Sequence, residues 1–154
     1  MIVSDKDKKV MGMLDPNGHP VFEGNEFTDE DLVKIEEKLN IKLPEDFCEI
    51  ATFFSGGYLG GISNYSFSNV DNSLNIIDET IRLREVVHLP SRFIVLAEPP
   101  ESLIVMDTLN NPAIIWFDGV GISGLEKNSF TSKPDEWRTY ADYFEELLEE
   151  EQGI

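Results

Sequence analysis

The sequence predicts an α+β fold in a single domain spanning residues 1–154, and three observations carry that reading. Apolar residues recur at spacings of three and four through the first half of the chain. Three short runs rich in Ile, Val and aromatic residues then follow one another across turn residues, and the chain closes on a segment with one apolar helical face. Helices first, then a strand meander, then a closing helix is the pattern of a sheet with helices segregated from it.

Taken in order, Met11 to Leu14 and Val21 to Glu23 flank Asp15-Pro16-Asn17-Gly18, whose Pro and Gly suit a type I turn. Residues 1–27 therefore read as a hairpin extension of the same domain. Thr28 precedes Asp29, Glu30 and Asp31, a helix cap followed by acids at the positive end of the dipole. Leu32, Ile35 and Leu39 give that helix one apolar stripe, and it stops near Asn40. Leu43-Pro44 is an extended connector, with Pro44 suited to the first position of a second helix. Phe47, Ile50, Ala51 and Phe54 form the buried face of that helix, which closes on Ser55-Gly56-Gly57. The two form a helical hairpin.

Gly60-Gly61 through Asn72 reads as a loop with one edge strand near Tyr65 to Phe67. Ser73 is placed as the cap of a third helix running to about Val87, with Leu74, Ile76, Ile77, Ile81 and Leu83 as its apolar positions. Phe93 to Ala97, Leu103 to Met106 and Ala113 to Phe117 are consecutive strands, separated by Glu98-Pro99-Pro100-Glu101 and by Asn110-Asn111-Pro112. A further strand is placed at Ile122 to Leu125. The last helix carries Trp137, Tyr140, Phe144, Leu147 and Leu148 and frays into Glu149-Glu150-Glu151.

Composition limits what such a domain can do. Twelve Lys and Arg face thirty Asp and Glu, a net charge of −18. That surface repels nucleic acid and anionic membrane, and it attracts basic proteins and speeds their approach. Hence no nucleic-acid or membrane partner is expected. No apolar run approaches the roughly 20 residues that cross a bilayer. Met1 to Lys9 is polar and charged, unlike a secretory leader. Cys48 is the single cysteine, which fits a reducing cytoplasm.

A catalytic set is not visible. A nucleophile needs a base within reach, usually His, and the chain has two: His19 in the hairpin and His88 at the end of the third helix. Without a supporting motif both read as ordinary histidines, and Cys48 beside Phe47 reads as a small apolar filler. Asp15, Asn17 and Gly18 lack the later ligands of a calcium loop. Gly119-Val120-Gly121-Ile122-Ser123-Gly124 matches G-x-G-x-x-G and follows a strand, but the polar run after it and the absence of a crossover helix make it a glycine-rich turn. No enzyme, cofactor or metal is expected. The acids from Glu145 to Glu151 read as a solvated helix end.

The order from Asp29 to Gly61 is similar to the SUKH superfamily, whose namesakes include the fungal Smi/Knr cell-wall regulators and many bacterial immunity proteins. An acidic amphipathic helix with Ile35-Glu36 and Leu39 leads into Leu43-Pro44; an aromatic helix then closes on Gly56-Gly57, with Gly60 soon after. Ser55 stands where that family usually has Asn. Phe93 to Ala97 and Ser102 to Asp107 resemble two of its strands, though Glu101-Ser102 replaces a common Gly with Asp or Asn. Asp135 to Glu149 resembles its closing helix. The matching residues are turn and packing positions, so they imply a scaffold that binds proteins and carry over no catalytic role.

The resemblance implies a bacterial immunity protein that blocks a cationic toxin, a nuclease being one candidate because it needs a basic groove for phosphates. A regulatory or scaffolding module of the Smi/Knr type is the alternative, and a hydrolase using carboxylates alone comes third. The contact surface is expected at acidic loop residues bordering the meander: Glu98, Glu101, Asp118 and Glu126.

Overall fold

The computed structural model describes residues 27–69, 74–119, 122, 125, 130 and 133–153. The proposed hairpin of residues 11–23, together with Asp15, Asn17 and His19, lies outside the described residues, as do Ser73 and Glu126.

Helix α1, Asp29–Leu39, begins as the sequence reads: the Thr28 side chain accepts from the Asp31 N–H and the Asp31 carboxylate accepts from the Thr28 N–H, a reciprocal capping box. It ends at Asn40, which takes the left-handed conformation at φ 53°. Helix α2, Glu45–Ala51, follows, with Pro44 standing one place earlier than expected, as its N-cap. The helix ends at Ala51, so Phe54 is buried but lies beyond it, its N–H still held by the Ile50 carbonyl at 2.9 Å.

The edge strand expected at Tyr65 to Phe67 is not there. Instead β1, Gly57–Leu59, pairs antiparallel with β2, Ile62–Asn64. Gly60 and Gly61 have φ of 58° and 83°, the two positive values a tight primed hairpin turn demands, so Gly-Gly between short apolar runs was the signal for it. Tyr65 instead donates its N–H to the Leu96 carbonyl at 2.9 Å.

Helix α3, Ile76–Val86, is capped by Asn75, whose side chain accepts from Asp78 N–H at 2.8 Å. Leu74 therefore precedes the helix and is exposed rather than part of its buried face. His88, at φ 59°, follows the helix end, and the Leu89 N–H reaches back to the Leu83 carbonyl at 3.2 Å.

The main sheet has the order β3-β4-β5-β6, all antiparallel. Its first three strands, β3 Phe93–Ala97, β4 Ser102–Asp107 and β5 Ile114–Asp118, lie where the sequence puts them. The fourth is a correction: Asp135–Trp137 is strand β6, not the start of the last helix. Trp137 pairs with Ile114 and so completes the ladder on the outer side of β5. Helix α4, Tyr140–Gln152, starts after Thr139, whose hydroxyl accepts from Asp142 N–H at 3.1 Å. The strand expected at Ile122 to Leu125 is also corrected: Ile122 lies in a turn, Leu125 is helical, and the Leu125 N–H donates to the Ile122 carbonyl at 3.2 Å. The apolar side chains there are needed as cover for the sheet and not as a further ladder.

Both sheet faces are buried, which explains the unbroken apolar runs of β3 and β4. Ile94, Leu96, Ile104, Met106 and Ile114 join the main core with Phe47, Phe54, Phe67, Tyr140 and Phe144. A register shift between Val95 and Ala97 puts Leu96 and Ala97 in that same core. Phe93, Val95, Leu103, Val105, Ile115 and Phe117 face the other way, into a smaller core with Leu83, Leu89 and Leu125. The open edge of β3 is covered: the buried Thr80 hydroxyl accepts from Val95 N–H at 3.0 Å. Among the described residues no helix is long and apolar enough to cross a membrane.

Candidate protein-binding site

Among the described residues, the cover on the second face of the sheet is incomplete. A groove of about 740 Å³ opens between the end of α3, the turn from β3 to β4, and the end of β5. Leu83, Val87, Leu103, Ile122, Pro99 and Pro100 give it apolar walls, and Glu98, Glu101 and Asp118 give it charge. Among its described lining residues none is basic. Three of the four acids expected at a contact surface thus share one concavity, although they come from two different loops.

Strand pairing is what gathers them. Ser102 is opposite Asp118 in the β4–β5 register, so the residue before Ser102 and the last residue of β5 lie side by side. The Gly119 N–H donates to the Glu101 carbonyl at 3.0 Å and fixes the two loops together. Gly119 thus serves the turn after β5. The antiparallel pairing of β5 with both of its neighbours differs from the parallel unit that a dinucleotide fingerprint requires.

The three acids are not equivalent. Glu98 is bound within the molecule: it pairs with Arg82, which also holds Glu79 at 3.0 Å. It also lies near the Tyr65 phenol, which burial first and the Glu98 charge second push up from its ordinary value. Glu98 therefore anchors α3 to the end of β3. Asp118 is exposed at the strand end. Glu101 is exposed as well, and among the described residues its carboxylate makes no ion pair or hydrogen bond.

Glu101 sits at an unfavourable backbone position. The Ser102 N–H bonds the Pro99 carbonyl at 3.0 Å, and Glu101 has φ 57°. With Pro100 before it, this is the type II pattern, whose third residue is normally Gly or Asn. A side chain in that conformation costs about 1–2 kcal/mol, and strain of this kind persists where something else requires the residue. Glu101→Gly is accordingly expected to raise stability by roughly 0.5–1 kcal/mol, the relieved strain less glycine's own entropy. A urea midpoint that does not move, or that falls, would show that the turn carries no strain.

The other marked residues are structural. Leu43 is buried, and its N–H donates to Glu36 Oε2 at 2.8 Å, which ties the Leu43-Pro44 connector to α1. Gly56, at φ 100°, lies so close to the next segment that a β-carbon would stand 2.3 Å from the Tyr65 carbonyl oxygen. Gly57 has φ 115° and opens β1. Cys48 is partly buried, and burial, then the nearby Glu36 and Asp46, pushes its thiol up and away from the reactive thiolate. Asp46 accepts from Ala141 N–H at 2.9 Å, joining α2 to the start of α4. The acidic end of α4 is not wholly solvated, since Glu151 Oε2 accepts from Gly60 N–H at 2.8 Å.

Sequence reasoning missed the apolar half of the groove. Leu83 on α3 and Val87, the residue that caps its end, stand one turn apart, and Val86 and Val87 are exposed, a signal that the end of this helix is not wholly covered.

No curated protein matches the chain. The family model described as the SMI1 / KNR4 family (SUKH-1) matches residues 26–150, most of the sequence and nearly all of the described fold. A helical hairpin, an antiparallel meander and a closing helix over that same span agree with the match, and the chain belongs to the SMI1 / KNR4 family (SUKH-1).

Proposed function

We propose that this chain is a non-catalytic protein-binding domain of the immunity type, which acts in the cytoplasm by blocking a cationic toxin domain. The family is known for immunity proteins and for Smi1/Knr4-type domains, and its members generally bind proteins rather than catalyse. The observation that carries the reading is a groove with acids and no basic residue in its described lining, on a chain of net charge −18. A toxin that handles phosphates needs a basic groove, and a surface of this kind can occupy such a groove by complementary charge.

The test is co-expression with any toxin domain encoded in the genes adjacent to this one, and a neighbourhood that encodes none would count against the proposal. The expected result is restored growth, together with tight binding of the two purified proteins. Association should slow by roughly tenfold or more on passing from low to physiological salt, because exposed charges are screened beyond about 10 Å. Cells that die with this chain present would remove the proposal.

A further inference from the structure

The groove has an apolar floor beneath its acidic rim, and the two features together narrow what can sit in it. Leu83 and Leu103 are nearly covered by their own side of the structure, at 7% and 5% exposure, whereas Val87 at the rim is 37% exposed and Val86 beyond it 66%. A volume of about 740 Å³ is room for several side chains. Sites that bury whole ligands run from about 300 to 1,000 Å³. An anion would meet Glu98, Glu101 and Asp118. A bare polar cation would leave Val87, Ile122 and the two prolines wet, and a wholly apolar insert would strip water from the rim carboxylates without return.

We infer that the groove receives an amphipathic basic segment of the partner protein, one large apolar side chain resting on Val87, Pro100 and Ile122 above the buried Leu83 and Leu103 while a neighbouring Arg or Lys reaches Glu101 and Asp118. This rests on the protein-binding reading above and gives it a place and a chemistry. The division of labour on the rim supports it. Glu98 is held by Arg82 and shapes the wall, whereas Glu101 stands on the strained turn with its carboxylate exposed. An apolar anchor in a pocket with a charged pair at its edge is the usual form of a binding hot spot.

The test uses the full-length chain, isotopically labelled, and a synthetic peptide of alternating Arg and Leu. Two matched peptides carry Ser for Leu and Glu for Arg. Amide shifts should gather at Leu83, Val87, Leu103, Gly119 and Ile122. The Ser peptide should bind about tenfold more weakly, and Val87→Glu and Glu101→Lys, both at exposed positions, should each weaken the Arg-Leu peptide about tenfold. The Glu peptide should not bind. Shifts centred on the acidic face of α4, or equal binding of the Ser peptide, would overturn the inference. So would groove shifts that track protein concentration without peptide, which mean a second copy, or contacts from residues 1–26 to Leu83, which mean the chain's own end. A neighbouring toxin that binds Val87→Glu and Glu101→Lys as tightly as the native chain would sink the groove while leaving the immunity reading intact. A toxin that the native chain never binds would remove that reading and leave the peptide titration to decide the groove.

Discussion

Gly60→Ala is expected to cost about 3–4 kcal/mol, against about 1–2 kcal/mol for Gly61→Ala next to it. Both glycines have positive φ, 58° and 83°, so both variants carry the left-handed penalty. Only Gly60 has a neighbour in the way. A β-carbon there would lie 2.5 Å from the Leu147 carbonyl oxygen and 2.8 Å from its Cα, whereas nothing lies within 4 Å of one at Gly61. Both obstructing atoms are helix backbone and cannot swing aside. The hairpin must lift from α4, which also breaks the Gly60 N–H bond to Glu151. Chemical denaturation of the pair measures the difference. Equal losses would mean that the hairpin does not press on α4 as described.

Phe67→Ala is expected to cost about 3–5 kcal/mol, the usual range for removing a buried ring. Phe67 is 1% exposed, and its ring centroid lies 4.5 Å from Phe47, 5.9 Å from Phe27, 6.3 Å from Phe54 and 6.4 Å from Tyr140. It fills the space where the start of α1, α2 and α4 meet, so its loss loosens three elements together. Phe67→Leu keeps most of the volume and should cost under about 1.5 kcal/mol, while Leu109→Ala, at a 75% exposed site, should stay within about 0.5 kcal/mol. A loss under about 2 kcal/mol in Phe67→Ala would mean that the aromatic cluster closes over the gap.

Much of this architecture was legible because its signals are local. The Thr28 cap, the apolar stripe of α1, the Leu43-Pro44 connector and strands β3 to β5 depend on residues a few positions apart, and all appear where the sequence puts them. The misreadings fall where two local signals compete. Asp135 to Trp137 continues the apolar pattern of the last helix, but β5 needs a partner on its open side, and Thr139 supplies a new cap two residues after Trp137. Leu74 looks apolar and helical, yet Asn75 has the better capping side chain and begins the helix after it. At Gly60-Gly61 the turn residues suit a loop and a hairpin equally, and the pairing of β1 with β2 decides for the hairpin.

The candidate site divides in the same way. Its acidity was legible, and so were Glu98, Glu101 and Asp118 as loop acids beside the meander. The difference among them was not, because the Arg82 that holds Glu98 lies on another element, sixteen residues away.

By itself the sequence determined the class of fold, helices α1 to α4 and strands β3 to β5, the acidic character and the family, since each of these is written in neighbouring residues or in composition. Tertiary structure alone decided that Glu101 and Asp118 meet, that Leu83 and Val87 line the groove they border, and that Gly60 must remain a glycine. Those facts depend on strand register and on the close approach of segments up to ninety-one residues apart, which no local pattern encodes.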